Sequence, residues 1–303
     1  MPVSTLQMAY PGPVFSRLVA GLWRISDWGR NAADNLRFVE TCLDLGITTF
    51  DHADIYGEYE SQRVFGEAMA GNPGLREQML LVTKCNIKLV SRHFPAHRIG
   101  HYDTSKAHII QSVEQSLSEL RTDRVDVLLI HRPDLLMDAD EVAEAFLALK
   151  AAGKVLHFGV SNFSPSQFDL LADRLPFPLV TNQVECSVLQ FDVMHDGTLD
   201  HCQRIRMAPM AWSPLGGGDL FHAHTDQAVR LRQTLHEIGR ACGGASLDQV
   251  ALAWLLRHPA RIVPVLGTGN LDRIRSAIAA EAITLSTQQW YQIWRASQGH
   301  DVP

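Results

Sequence analysis

Residues 125–162 read VDVLLIHRPDLLMDADEVAEAFLALKAAGKVLHFGVSN, and this stretch decides the fold. It opens on a nearly continuous apolar run, Val125 to Ile130, of the kind a parallel strand shows when both its faces are covered. Val142, Ala145, Phe146 and Leu149 then recur at i, i+3, i+4 and i+7, which is one face of a helix. A second apolar run, Leu156 to Val160, follows. Strand, helix and strand in this order predict a βαβ unit with parallel pairing.

The same alternation extends in both directions. Further strand candidates are Leu18 to Leu22, Thr48 to Asp51, Leu80 to Lys84, Leu179 to Gln183, Met207 to Ala211 and Ile262 to Val265. Ile109, Val113, Leu117 and Leu120 mark one intervening helix face, and Leu247, Val250, Ala251, Trp254 and Leu255 another. Ser164-Pro165-Ser166-Gln167 reads as an N-cap, a Pro at the first helical position and a capping-box Gln. A helix over Asn270 to Ala280 follows the last strand, and an extra one near Thr287 to Ser297 closes the chain. Eight strands, each followed by helical sequence, predict an α/β fold, a (β/α)8 TIM barrel, over a doubly wound sheet. No linker or composition shift divides the chain, so one domain over residues 1–303 is expected. Val3 to Phe15, with its Pro11-Gly12-Pro13 turn, predicts a hairpin covering the barrel bottom.

Composition bounds the function. Of 303 residues, 46% are hydrophobic and 20% charged, too apolar for a disordered chain. The formal charge of −6 argues against a nucleic-acid partner, which calls for a basic patch. No stretch approaches the roughly 20 apolar residues of a membrane helix, and none reads as a signal peptide. Cys42, Cys85, Cys186, Cys202 and Cys242 are scattered and odd in number, which fits reduced thiols in the cytoplasm.

In a TIM barrel, chemistry collects at the C-terminal ends of the strands. Beyond the second strand stands Asp51-His52-Ala53-Asp54-Ile55-Tyr56-Gly57; the third ends in Lys84, and the fourth in His131. Asp51, Tyr56, Lys84 and His131 would then meet at one barrel mouth. An ammonium beside a phenol lowers the phenol pKa from its ordinary value near 10, a carboxylate holds that ammonium charged, and a histidine can orient a carbonyl oxygen. This is a general acid for protonating an oxygen while another group attacks carbon. Ser161, Asn162 and Gln183 offer groups matching a carboxamide, and Trp212 a stacking surface for a flat ring. Gly216-Gly217-Gly218 would let backbone approach a phosphate, and Gly267-Thr268-Gly269-Asn270 opens a helix bearing Arg273, an anion site.

These residues resemble a known family. D-x-A-D-I-Y-G at 51–57, strand-end Lys84, the I-H of His131, G-V-S-N at 159–162, N-Q at 182–183 and W-S-P-L at 212–215 are similar to the aldo-keto reductases, along nearly the whole chain. The tail H-D-V-P resembles the bacterial YdhF-type branch. The resemblance implies a barrel that binds NADP(H), with NAD(H) as the alternative, and reduces a small-molecule carbonyl substrate. Tyr56 would donate the proton, activated by Lys84 and Asp51, with His131 orienting the carbonyl. Ser161, Asn162 and Gln183 would hold the carboxamide and Trp212 would stack on the nicotinamide. Gly21, Leu22, Ser213, Pro214, Leu215 and Gly216 would approach the cofactor. Gly267, Thr268, Gly269 and Arg273 would meet its adenosine end. Few residues follow the final helix, so substrate selection would fall to Trp23, Asn86 and Arg132. His52 replaces the usual Thr or Ser and is expected in the core. Many relatives carry Lys where Gly267 stands. Two other readings exist. One is a metal-dependent barrel hydrolase using His93, His97 and His101 or His222 and His224, disfavoured because the first set spans Pro95 and Gly100 and loses helical register, and the second has no carboxylate at a strand end beside it. The other is a cofactor-binding sensor or scaffold with weak turnover.

Overall fold

The computed structural model describes residues 2–303. Eight parallel strands close into a barrel: β1 (Val19–Gly21), β2 (Thr49–Asp51), β3 (Leu80–Cys85), β4 (Val125–Ile130), β5 (Val155–Ser161), β6 (Leu179–Glu185), β7 (Met210–Trp212) and β8 (Val263–Leu266). Closure comes from β8 pairing back on β1, with Val265 opposite Val19 and Leu266 opposite Ala20. The strands approach so closely there that a Cβ on Gly21 would lie 2.8 Å from a Val265 methyl, which requires glycine.

Helices α1 (Ala32–Asp44), α2 (Ser61–Met69), α3 (Lys106–Leu120), α4 (Ala139–Ala151), α5 (Pro165–Ala172) and α6 (Thr198–Arg204) each return the chain to the next strand. Their starts follow capping chemistry. Asn31, Ser105, Asp138 and Ser164 accept from backbone N–H groups of the first turn, and Ser164 and Gln167 form a complete capping box. After β7 come two helices, α7 (Asp226–Ala241) and α8 (Leu247–Leu256), then β8, α9 (Leu271–Ala279) and α10 (Thr287–Gln298). The sequence pattern marks α8, α9 and α10 but leaves α7 unread. Among the described residues, no helix is long and apolar enough to cross a membrane.

Thr5–Gln7 and Val14–Ser16 pair antiparallel. Ser16 Oγ accepts from Thr49 N (3.2 Å) at the start of β2, and Ala208 N, just before β7, donates to Met8 O (2.7 Å). The hairpin therefore covers the N-terminal ends of the strands and leaves the C-terminal mouth open. The same contact corrects the start of the seventh strand. Met207 and Ala208 are apolar but bond to Cys202 O and Met8 O, and Pro209 has no N–H, so the ladder begins at Met210.

A second apolar core joins α7, α8 and α10 to the barrel. At its centre the indoles of Trp254 and Trp290 stack at 4.8 Å, and each Nε1 donates to the other residue's carbonyl at 3.1 Å. Trp254 is fully buried, so its truncation leaves a cavity and removes the donor to the Trp290 carbonyl. Trp254→Ala is expected to lower the unfolding free energy by about 3–5 kcal/mol in chemical denaturation.

Candidate active site

Strand register aligns the polar side chains at the mouth. Residues directly opposite in a ladder share a face, and so do residues two apart in one strand. Asp51 pairs with Val82, and Lys84 lies two beyond Val82. Lys84 pairs with Leu129, and His131 lies two beyond Leu129. Leu129 pairs with Gly159, Ser161 lies two beyond it, and Ser161 pairs with Gln183. Gln183 pairs with Met210, two before Trp212. One rising staircase thus carries Asp51, Lys84, His131, Ser161, Gln183 and Trp212 along a common face.

At its centre is Lys84, which is fully buried. Its Nζ donates to Asp51 Oδ1 (2.8 Å) and Oδ2 (2.7 Å), to the carbonyl of His52 (2.8 Å) and to the hydroxyl of Tyr56 (2.9 Å). Gln183 Nε2 donates to Asp51 Oδ1 (2.8 Å) from across the barrel. Tyr56 comes from the turn after β2, and its ring meets the His131 imidazole edge-on at 5.8 Å.

Burial opposes the Lys84 charge, but Asp51 and Tyr56 outweigh it and hold the ammonium pKa above its ordinary value. Burial also raises the Tyr56 phenol; Lys84 is the largest opposing influence and pulls it down, while Asp51 pushes it up. In the chain without cofactor the net direction is upward, so Lys84 offsets burial without overturning it. His131 is held neutral by burial first, then by the charges of Lys84 and Arg132. Its Nδ1 is buried without a partner among the described residues. His52 is a core residue, packed edge-on against Phe65 at 4.6 Å, and burial and Lys84 push its pKa down to about 3.

The amide groups form one internal network. Ser161 Oγ donates to Gln183 O (2.7 Å) and accepts from Asn162 Nδ2 (2.8 Å). Asn162 Oδ1 accepts from Trp212 Nε1 (2.9 Å). Asn162 and Ser213 have φ of 61° and 49°, conformations that disfavour a side chain, so these strand ends carry backbone strain.

Of the three residues expected at the substrate, two reach the mouth. Trp23 is 52% exposed, with its ring 6.4 Å from that of Tyr56. Arg132 holds its guanidinium 5.3 Å over the Trp212 ring. Asn86 differs from the expectation. It is fully buried, its φ of 98° turns it inward, and its amide exchanges two bonds with the backbone of Arg132 (2.9 and 3.1 Å). It fixes the platform that presents Arg132 and offers no surface to a ligand.

Towards the rim, Gly21, Leu22 and Pro214 are buried. Gly216, Gly217 and Gly218 all have positive φ in a tight turn after β7. Asn270 caps α9, accepting from Asp272 N and Arg273 N, while Arg273 is exposed one turn in. The sequence reading missed two neighbours of this loop. Arg30 Nη2 donates to Gly269 O (2.7 Å), and a Cβ on Gly269 would strike the Trp28 ring at 2.6 Å. The signal for them is the aromatic-Gly-basic run Trp28-Gly29-Arg30 beyond β1.

Comparison with known proteins agrees with this architecture. The chain is 50% identical to the oxidoreductase YdhF of Escherichia coli, over 99% of this chain and 100% of that one. It is 46% identical to a 6-dehydroglucose reductase of Agrobacterium fabrum, over 95% and 96% of the two chains. Among solved structures, an aldo/keto reductase from Klebsiella pneumoniae in complex with NADP and acetate superposes with a TM-score of 0.76 at 26% identity, covering 96% of this chain and 94% of that one. The family model for the aldo/keto reductases matches residues 17–298, and the chain belongs to the aldo/keto reductase family.

Proposed function

We propose that the chain reduces an aldehyde or ketone to the alcohol with NADPH, using Tyr56 as the general acid. The observation that carries this reading is the buried Lys84 ammonium, which donates to the Tyr56 hydroxyl at 2.9 Å while paired with both oxygens of Asp51. A phenol bonded to a fixed cation forms phenolate more readily than it would in a neutral apolar pocket.

The residues present fit a nicotinamide dinucleotide. Gly267 and Gly217 have open space where a Cβ would stand, which leaves room for a phosphate against backbone. Asn162 Oδ1 keeps a second lone pair beside its bond from Trp212, so a carboxamide N–H can find an acceptor there. The half-buried Trp212 offers a ring face. When bound, the reduced cofactor supplies hydride, and the chain supplies orientation and the proton. His131, neutral at physiological pH, donates a hydrogen bond to the carbonyl oxygen and fixes its angle to Tyr56. As negative charge develops on that oxygen, the Tyr56 proton moves onto it, and Lys84 stabilises the phenolate left behind.

Arg273 is the cation proposed to read the adenosine 2′-phosphate, beside Thr268 and the α9 N-terminus; NAD(H) is the alternative if it does not. The relative named as a 6-dehydroglucose reductase supports an oxidised sugar bearing an aldehyde as the substrate class. An exposed Trp23 and the Arg132 guanidinium at the mouth suit such an oxygen-rich ring. Five free cysteines fit a reducing, cytoplasmic setting.

Tyr56→Phe is expected to lower kcat for carbonyl reduction by roughly 10²–10⁴-fold while NADPH still binds. Stopped-flow turnover and a binding titration check both halves, and unchanged turnover would refute the acid assignment. NADPH should quench Trp212 fluorescence and bind more tightly than NADH, and Arg273→Ala should remove that difference. Equal affinities in the wild type would show that the 2′-phosphate is not read.

A further inference from the structure

The motif Asp51-His52-Ala53-Asp54-Ile55-Tyr56 carries two carboxylates, and the mechanism above uses only the first. Asp54 stands two residues before Tyr56. Its N–H donates to the carbonyl of Lys84 (3.1 Å), and Oδ2 accepts from Ser112 Oγ on α3 (2.9 Å). Its Oδ1 is buried with no partner among the described residues, although the residue as a whole is only half-buried. Immediately after Tyr56, three successive residues take left-handed conformations: Gly57 (φ 58°), Glu58 (54°) and Tyr59 (72°). Two of these are not glycine, so the segment is strained and needs external ties. It has one on each side of Tyr56. Asp54 is tied to Ser112, and the Tyr59 hydroxyl accepts from Leu89 N (2.9 Å).

Behind this segment is a cavity of about 40 Å³ lined in part by Asp54, Tyr59, Lys88, His97, His108 and Ser112. His108 Nδ1 is 2.9 Å from Lys88 Nζ, and its Nε2 is buried without a partner among the described residues. Lys88 in turn faces Asp103 at 3.6 Å. The charged and titratable groups around Asp54 are thus Lys88, His97 and Cys85 from β3 and the loop after it, His108 and Glu119 from α3, and Tyr56 and Tyr59 from its own turn.

We propose that Asp54 is a proton-linked positioning residue for Tyr56: its tie to Ser112 holds the strained turn in place, and its own ionisation modulates how firmly the phenol keeps its proton. This rests on the reading of Tyr56 as the acid. Burial pushes the Asp54 carboxyl up to about 7, with Ser112 the largest opposing influence. Asp54 therefore gains its negative charge in the physiological range. Burial is the chief influence keeping the proton on Tyr56, and ionised Asp54 adds to it. Above pH 7 the phenol becomes a weaker acid, and below it a stronger one.

The test is the pH profile of carbonyl reduction, together with a turnover-free spectroscopic titration of the Tyr56 phenol, in the wild type, Asp54→Asn and Ser112→Ala. The wild type should show a downward step in kcat near pH 7. Asp54→Asn should lose that step and move the phenol titration to lower pH. Ser112→Ala keeps the carboxyl, so its step should survive at higher pH; it serves alone if Asp54→Asn does not fold. Identical profiles in all three proteins would overturn the proposal. So would a uniform fall in kcat with no change of profile, which is the mark of a purely structural residue. Retained turnover in Tyr56→Phe would instead fault the acid assignment, so the two failures are separable.

Discussion

One buried ammonium organises the mouth of this barrel. Removing a lysine charge from water carries a penalty of several kcal/mol, and the site is arranged around meeting it. Lys84 Nζ faces both oxygens of Asp51, the carbonyl of His52 and the hydroxyl of Tyr56, more acceptors than it has protons. Asp51 is held from the far side by Gln183, so the pair is braced across the barrel from β2 to β6. The closed parallel sheet supplies what this requires, since its register puts Asp51, Lys84 and His131 on successive steps of one face. A slip of one residue between β2 and β3 would turn Lys84 away from Asp51 and leave two unpaired charges.

The same cation acts on its neighbours through charge. It lowers the pKa of the His52 and His131 imidazoles, each already depressed by burial, so neither adds a further positive charge beside Lys84. It works against burial on the Tyr56 phenol. Around this pair the backbone departs from easy conformations at Asn86, Asn162 and Ser213, each just beyond or near the end of a strand. Each turns a side chain or loop towards the mouth, or into the platform beneath it, where a relaxed backbone would not.

Much of this was legible in the sequence. Long apolar runs such as Val125–Ile130 announce buried parallel strands, and Ser164-Pro165 announces a helix start. Asp51, Tyr56, Lys84 and His131 follow from asking what lies just past each run. What stays hidden is whatever depends on a distant partner. The seventh strand begins late because Ala208 bonds to Met8, some two hundred residues away. Asn86 looks like a mouth residue because it follows β3, but its left-handed backbone turns the side chain onto Arg132. Arg30 and Trp28 reach the Gly269 loop only because β1 and β8 are neighbours in the closed sheet. The bond from Gln183 to Asp51 likewise has no local signature.

At the Tyr56 phenol, the Lys84 charge counteracts burial. The direct measurement is a titration of that phenol by NMR with ¹³C-labelled tyrosine, in the wild type and in the double variant Asp51→Asn/Lys84→Met. The double change removes both buried charges together and leaves none unpaired. Because Lys84 acts on the phenol more strongly than Asp51, the variant's phenol should titrate higher than the wild type's. A phenol pKa that stays the same or falls would contradict the account.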